Sequence, residues 1–298
     1  MSFRSRLRPA KRLAAYLLEG LWSVAFSAAA RTARRPCNRW SSSGREVILV
    51  VAPHPDDEAI GCVGTLLLHL NAGDSVRVAI ATDGRRSRVI ADPEEMSAQR
   101  RREATEAARL MLIDRLDWIG LAEGEWDVAS LQQALTAVID ETDPDIIYAP
   151  SRVDFHPEHW KVAHALALAL AERATPQKRD CRIRIYQVQV PLTRSVSNVV
   201  ADISAFVPRC EQILRAYSSQ SGTIAGTFRQ RRYSARLHGI TGQAEEFWEM
   251  PVGRYVALHG SSPAQWPRAF RGMRSFPLTD PLAYVAGRGE RRKIRSLL

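Results

Sequence analysis

The sequence predicts an α/β fold: a Rossmann-like, mostly parallel sheet with helices on both faces and a metal site at the carboxyl ends of the strands. Three observations carry this expectation. Short continuous apolar runs such as Val47–Ala52 (VILVVA) suit strands buried on both faces. Stretches with helical apolar spacing alternate with those runs, as βαβ units require. Clusters of histidine and carboxylate follow directly after two of the runs, at the sheet edge where such folds bind ligands.

The elements follow in order. After Val47–Ala52, residues Glu58–Asn71 carry helical spacing through Ile60, Val63, Leu67 and Leu70, with Gly73 as the stop. Val76–Thr82 (VRVAIAT) is a second strand, Pro93–Ile113 a long helix and Leu116–Leu121 a third strand. Val128–Glu141 reads as a helix and Ile146–Ala149 (IIYA) as a fourth strand. A helix runs from Pro157 towards Arg173, and Arg182–Val190 alternates as a strand. Pro251, Pro263, Pro267 and Pro277 break the pattern, which predicts an irregular extension over 251–298 after a domain at 46–250.

Length and composition (298 residues, 45% hydrophobic, 25% charged) exclude disordered, collagenous and disulfide-scaffold classes. The four cysteines, Cys37, Cys62, Cys181 and Cys210, form no CxxC pair, which fits a reducing, cytoplasmic setting. The net charge of +10 is localised. Residues 1–40 hold nine basic groups and a single acid, Glu19, so the body is nearly neutral and no nucleic-acid partner is expected. Within the leader, 1–45, Tyr16, Glu19, Ser23 and Ser27 form a polar stripe opposite Leu17, Leu18, Leu21, Val24, Ala25 and Ala28. That amphipathic pattern, flanked by arginines, predicts peripheral contact with the inner face of a membrane. A spanning helix, a signal peptide and a helix packed on the body are the rival readings.

The chemistry sits in two segments. Pro53-His54-Pro55-Asp56-Asp57-Glu58 places three carboxylates and an imidazole at a strand end, a costly density unless a cation neutralises it. Helix capping by Asp56 or Asp57 explains one acid or two but not a histidine between prolines. Imidazole and carboxylate three residues apart suit zinc, which leaves Asp56 to accept a proton. The second segment is Asp154-Phe155-His156-Pro157-Glu158-His159, where two histidines can divide metal binding and catalysis. His164 reads as structural, and His69, His238 and His259 have no metal-like context. No GxGxxG follows the first strand, which disfavours a dinucleotide-binding dehydrogenase.

Together these segments resemble the LmbE-like, or PIG-L, family of zinc-dependent de-N-acetylases of N-acetylglucosamine-containing molecules. The resemblance covers roughly 46–250, with Ala244-Glu245-Glu246-Phe247 similar to the family's late helix. It implies that His54, Asp57 and His159 ligate zinc, with iron as the alternative ion. It further implies that Asp56 is the general base and that His156 assists at the oxyanion or amine. Glu158 stands where the family usually has the Asp that orients this histidine, and Asp154 is a second candidate for that contact. Arg100 resembles the family's substrate-side arginine. Thr82-Asp83-Gly84-Arg85 stands where many members have Thr-x-Gly-Glu, so Arg85 favours an anionic, phosphate-linked or lipid-borne sugar. The expected activity is hydrolysis of an N-acetylated amino sugar. A zinc amidase for another N-acyl or thiol-conjugate amide, or a non-catalytic membrane or nucleic-acid adaptor, are the alternatives.

Overall fold

A computed structural model describes residues 37–87, 89–154, 156–172, 181–188 and 192–261, together with 20, 21, 24, 25 and 28. The remainder of the leader and residues 262–298, including the basic tail, lie outside the described residues. The strands are β1 (Asn38–Arg39), β2 (Val47–Ala52), β3 (Ser75–Thr82), β4 (Arg115–Leu121), β5 (Ile146–Ala149), β6 (Arg182–Ile185), β7 (Val199–Asp202) and β8 (Ala244–Pro251). The helices are α1 (Asp57–Ala72), α2 (Pro93–Met111), α3 (Val128–Thr142), α4 (Pro157–Glu172), α5 (Thr193–Val196), α6 (Val207–Leu214), α7 (Ser221–Leu237) and α8 (Val252–His259).

The strands form one sheet in the order β1-β7-β8-β6-β5-β2-β3-β4. From β6 to β4 all neighbours are parallel, while β8 runs antiparallel to both β6 and β7. The chain winds outward from β2 through β3 to β4, then returns to lay β5 on the other side of β2. The strand order therefore reverses between β2 and β5. At that point the loops leaving the carboxyl ends diverge and open a crevice.

Strand β2 shows why the apolar run is continuous. Ile48, Val50 and Ala52 pack into a core shared with α1, α2 and α6, while Leu49 and Val51 face α3 and α4. Every one of these side chains has no exposed surface. Helix starts follow local chemistry. Asp92 caps α2 by accepting from the amides of Glu94 and Glu95, and Asp127 caps α3 through Ser130. Gly73, at φ 94°, ends α1 in the left-handed conformation.

Three expectations are corrected. Ala244–Phe247 is not helical but lies in the inner antiparallel strand β8, where Glu245 and Glu246 are paired with Arg231 and His238. Buried carboxylates with ion partners mask the alternating pattern of a strand. Strand β6 ends at Ile185, before the predicted Val190. Val252–His259 forms helix α8 against α4, with Tyr255 and Leu258 in the core, although prolines predicted irregular chain from 251.

Helix α1 approaches its neighbours closely at glycine. A Cβ on Gly64 would come within 2.6 Å of Ile203 Cγ2 and 2.7 Å of its Cβ. Gly64→Ala is therefore expected to lower stability by about 1–3 kcal/mol through overpacking, despite the better helix propensity of alanine. Thermal unfolding followed by circular dichroism checks this; an unchanged or raised midpoint contradicts the close approach.

Candidate metal centre and catalytic pocket

The two predicted segments meet at the reversal of strand order. β2 delivers His54 through a tight turn in which the Asp57 amide donates to the His54 carbonyl, and β3 braces the turn when Thr82 donates to the Pro53 carbonyl. β5 delivers Asp154 and His156, and Pro157 opens α4 so that His159 lies in its first turn. Gly84, at φ 68°, allows the loop after β3 to pass beneath Arg100 and Pro55, where any Cβ would lie 2.8 Å from the Arg100 Nε.

Three electron-rich atoms converge there. His54 Nδ1 lies 3.2 Å from Asp57 Oδ2 and 3.2 Å from His159 Nε2, and His159 Nε2 lies 3.1 Å from Asp57 Oδ2. All three residues are buried. The outward ring nitrogens face carboxylates: His159 Nδ1 is 2.9 Å from Asp154 Oδ2, and His54 Nε2 is 3.3 Å from Glu123 Oε1. Burial opposes charge on both rings, yet the adjacent carboxylates prevail, raising His54 to about 9 and His159 well above its ordinary value. Burial likewise opposes the Asp57 anion, but His159 and His54 depress its pKa well below the carboxylate range.

This donor set fits a divalent ion. Tetrahedral zinc with bonds near 2.0–2.1 Å separates its ligands by about 3.3 Å, close to the edges of this triangle. Carboxylates behind ligand histidines are the usual outer support of such sites. His156 adds a further ring nitrogen within 4.8 Å of those of His54 and His159. A second group, Glu46, His69 and Asp74, also lies within that span, at the opposite end of the sheet. There both His69 nitrogens are engaged, Nδ1 by Asp74 at 2.5 Å and Nε2 by the Tyr148 hydroxyl at 2.9 Å, so the imidazole has no nitrogen to offer a cation.

Asp56 is buried beside the triangle, and its carboxylate pairs with the Arg100 guanidinium at 3.1 Å and 3.4 Å. Burial raises its pKa, and the Arg100 charge opposes that rise. Asp56 occupies the N-cap position of α1 but makes no side-chain cap bond, so the capping reading does not describe it. Its φ of 143° is rarely adopted by an L-residue, and such a conformation costs on the order of 1–3 kcal/mol. His156 sets its ring edge-on to His54, with centroids 4.8 Å apart. Burial, with His54 and His159 nearby, lowers its pKa to about 4.

Two expected contacts are not formed. The Glu158 carboxylate accepts from the Trp126 indole, and only the Glu158 amide reaches His156, donating to Nδ1 at 3.3 Å. Asp154 holds His159 rather than the His156 ring. The longer Glu side chain carries its carboxylate past the histidine. Arg85 is drawn into pairs with Asp83 at 2.6 Å and Glu94 at 2.9 Å and does not line the pocket.

The pocket, about 210 Å³, is lined by His54, Asp56, Asp57, His156 and His159 together with Arg100, Arg86, Glu123, Gln220 and Val188. Glu123 and Arg86 were missed from the sequence. Glu123 lies just past β4, on the same ligand-binding edge, and its amide donates to Asp83 Oδ1 at 3.1 Å. That position was the available signal. Arg86 adjoins Arg85, and its amide donates to Glu123 Oε2 at 3.0 Å. Nothing in the sequence distinguishes the two arginines.

The PIG-L (GlcNAc-PI de-N-acetylase) family matches residues 49–171, which span both histidine segments. A probable N-acetyl-α-D-glucosaminyl L-malate deacetylase 2 of Bacillus subtilis is 28% identical over 191 residues, 59% of this chain and 84% of that protein. A 1D-myo-inositol 2-acetamido-2-deoxy-α-D-glucopyranoside deacetylase of Mycobacteroides abscessus is 26% identical over 194 residues, 55% of this chain and 67% of that protein. The fold is similar to that of N,N'-diacetylchitobiose deacetylase from Pyrococcus horikoshii, with TM-score 0.62, 21% identity, and 70% of this chain and 85% of that one covered. The two histidine segments brought together at the reversal of a Rossmann-like sheet thus lie within residues 49–171, the part of the chain that matches the PIG-L, LmbE-like family.

Proposed function

We propose that the chain is a zinc-dependent hydrolase that removes acetyl from N-acetylglucosamine-type sugars, with His54, Asp57 and His159 as the metal ligands. The observation that carries this reading is the triangle of donor atoms, 3.1–3.2 Å on each edge, beside the buried Asp56 carboxylate. The malate and inositol conjugates named for the relatives support the sugar class. The two-nitrogen, one-oxygen donor set supports zinc, and iron(II) takes the same donors.

When bound, the ion would acidify a water and polarise the amide carbonyl. Asp56 takes the proton of the attacking water and returns it to the leaving amine, its carboxylate aimed by Arg100. His156 accepts from the Glu158 amide at Nδ1, so its proton sits on Nε2, where it donates to the developing oxyanion. Asp154 and Glu123 fix the rings of His159 and His54 so that the inner nitrogens keep their lone pairs free. Arg86, at the pocket wall and outside the ion pairs that hold Arg85, supports an anionic aglycone such as a phosphate or carboxylate. The leader supports a lipid-borne substrate at the inner membrane face: Leu21 and Val24, in helical conformation, are 69% and 70% exposed between two arginine clusters. No helix among the described residues is long and apolar enough to cross a membrane.

Metal analysis of the purified protein, with acetate and amine release from neutral and anionic N-acetylglucosamine conjugates, tests the activity. Release of longer acids in preference to acetate favours a different amidase. Asp56→Asn is expected to keep stoichiometric metal while kcat falls about 10²- to 10⁴-fold; undiminished turnover removes Asp56 from the base role. Asp154→Asn is expected to weaken metal affinity about 10- to 100-fold in a competition titration with a chromogenic chelator. Deleting residues 1–40 is expected to abolish salt-sensitive sedimentation with anionic phospholipid vesicles; unchanged sedimentation rejects the membrane role.

A further inference from the structure

The proposed base stands on a backbone that an aspartate does not adopt by itself, so something must hold it there. Asp56 has φ 143° and ψ −21°. Its carbonyl accepts from the amides of Ala59 and Ile60, at 3.0 Å and 2.8 Å, and these bonds begin α1. Its own amide donates to Glu58 Oε2 at 3.1 Å. Glu58 turns its side chain back from the first turn of the helix to make this bond. The second oxygen, Oε1, accepts from the Tyr217 hydroxyl. Tyr217 is fully buried and comes from the segment after α6, far from Asp56 in sequence. Glu58 itself is only 2% exposed, and no step derived above employs it.

A glutamate placed merely to complement the helix dipole needs no burial and no dedicated hydroxyl. We propose that Glu58 and Tyr217 form a positioning pair that locks the strained Asp56 backbone and thereby aims the Asp56 carboxylate into the pocket. Two anchors at right angles in function then define the base: Arg100 grips the carboxylate, and Glu58 grips the amide of the same residue. Tyr217 in turn fixes the Glu58 rotamer, linking the base to the distant α6 segment. The inference rests on the reading of Asp56 as the base, but its structural half can be read without substrate.

The test compares Glu58→Ala, Glu58→Gln and Tyr217→Phe for crystallographic Asp56 φ, bound metal, kcat and KM on an N-acetylglucosamine conjugate. In Glu58→Gln the amide carbonyl still accepts from the Asp56 N–H, so φ stays positive and kcat stays within about three-fold of the parent. In Glu58→Ala the Asp56 φ is expected to return to negative values, with kcat down at least ten-fold while KM and metal content hold. Tyr217→Phe is expected to give an intermediate loss of kcat. Retention of φ near 143° in Glu58→Ala overturns the proposal, as do equal losses in the alanine and glutamine variants, which indicate a charge effect instead. Should Glu58→Ala not fold, Tyr217→Phe carries the decision: unchanged kcat there overturns the pair. If the parent protein hydrolyses no amide, the φ comparison still decides whether Glu58 holds the backbone.

Discussion

The crowding of His54, Asp57 and His159 at the head of β2 and β5 is the constraint from which the rest of the site follows. Two imidazole nitrogens and a carboxylate oxygen, each within 3.2 Å of the others and shielded from water, repel unless a positive charge sits among them. Asp57, with Glu123 beside His54 and Asp154 beside His159, pushes both histidines towards the charged form against the opposing effect of burial. A divalent ion relieves the same repulsion more completely. The carboxylates of Asp154 and Glu123 behind the rings deepen the negative field and simultaneously fix ring orientation. Local density of charge, rather than any single residue, thus suits this edge of the sheet to a cation.

Such a density has to be supported by rigid elements. Four loops contribute, from β2, β3, β4 and β5, and cross-bonds tie them together. Thr82 holds the Pro53 carbonyl, and Asp83 receives the Glu123 amide while pairing with Arg85. Helix α1, which carries Asp57, is secured further along by the Arg231–Glu245 pair at 2.7 Å and by Glu245 bonds to Gly64 and Thr65. A helix held at its start and again at its middle gives the strain at Asp56 little relief through helix movement. This is how a locally unfavourable conformation persists.

Much of this was legible in the sequence, and the parts that were not have definable causes. The parallel half of the sheet was readable from β2 to β5 because doubly buried strands and amphipathic helices leave strong, distinct periodicities. Its antiparallel half was hidden: β8 buries Glu245 and Glu246 against Arg231 and His238, so its charges resemble a solvated helix. At the site, His54, Asp57 and His159, the set that the family resemblance implied, lie together, and Asp56 and Arg100 pair. Glu158 and Arg85 go elsewhere because side-chain length and the choice between neighbouring arginines are settled by tertiary partners, Trp126 for one and Asp83 with Glu94 for the other. Glu123 is marked only by its place just past β4, since a lone acid after a strand has no spacing signature.

The opposite end of the sheet supplies the control for this reasoning. Glu46, His69 and Asp74 bring the same residue types equally close, yet the outcome is reversed. His69 is bounded by one carboxylate and one hydroxyl, and burial lowers its pKa to about 4, leaving a neutral ring with each nitrogen satisfied. Ser42 and the Glu46 amide also donate to Asp74, while Arg182 takes one oxygen of Glu46. With both nitrogens of its one histidine engaged, the cluster becomes a brace between α1 and the strand ends. At the carboxyl end the inner nitrogens of His54 and His159 face each other and Asp57 instead, an arrangement suited to a cation.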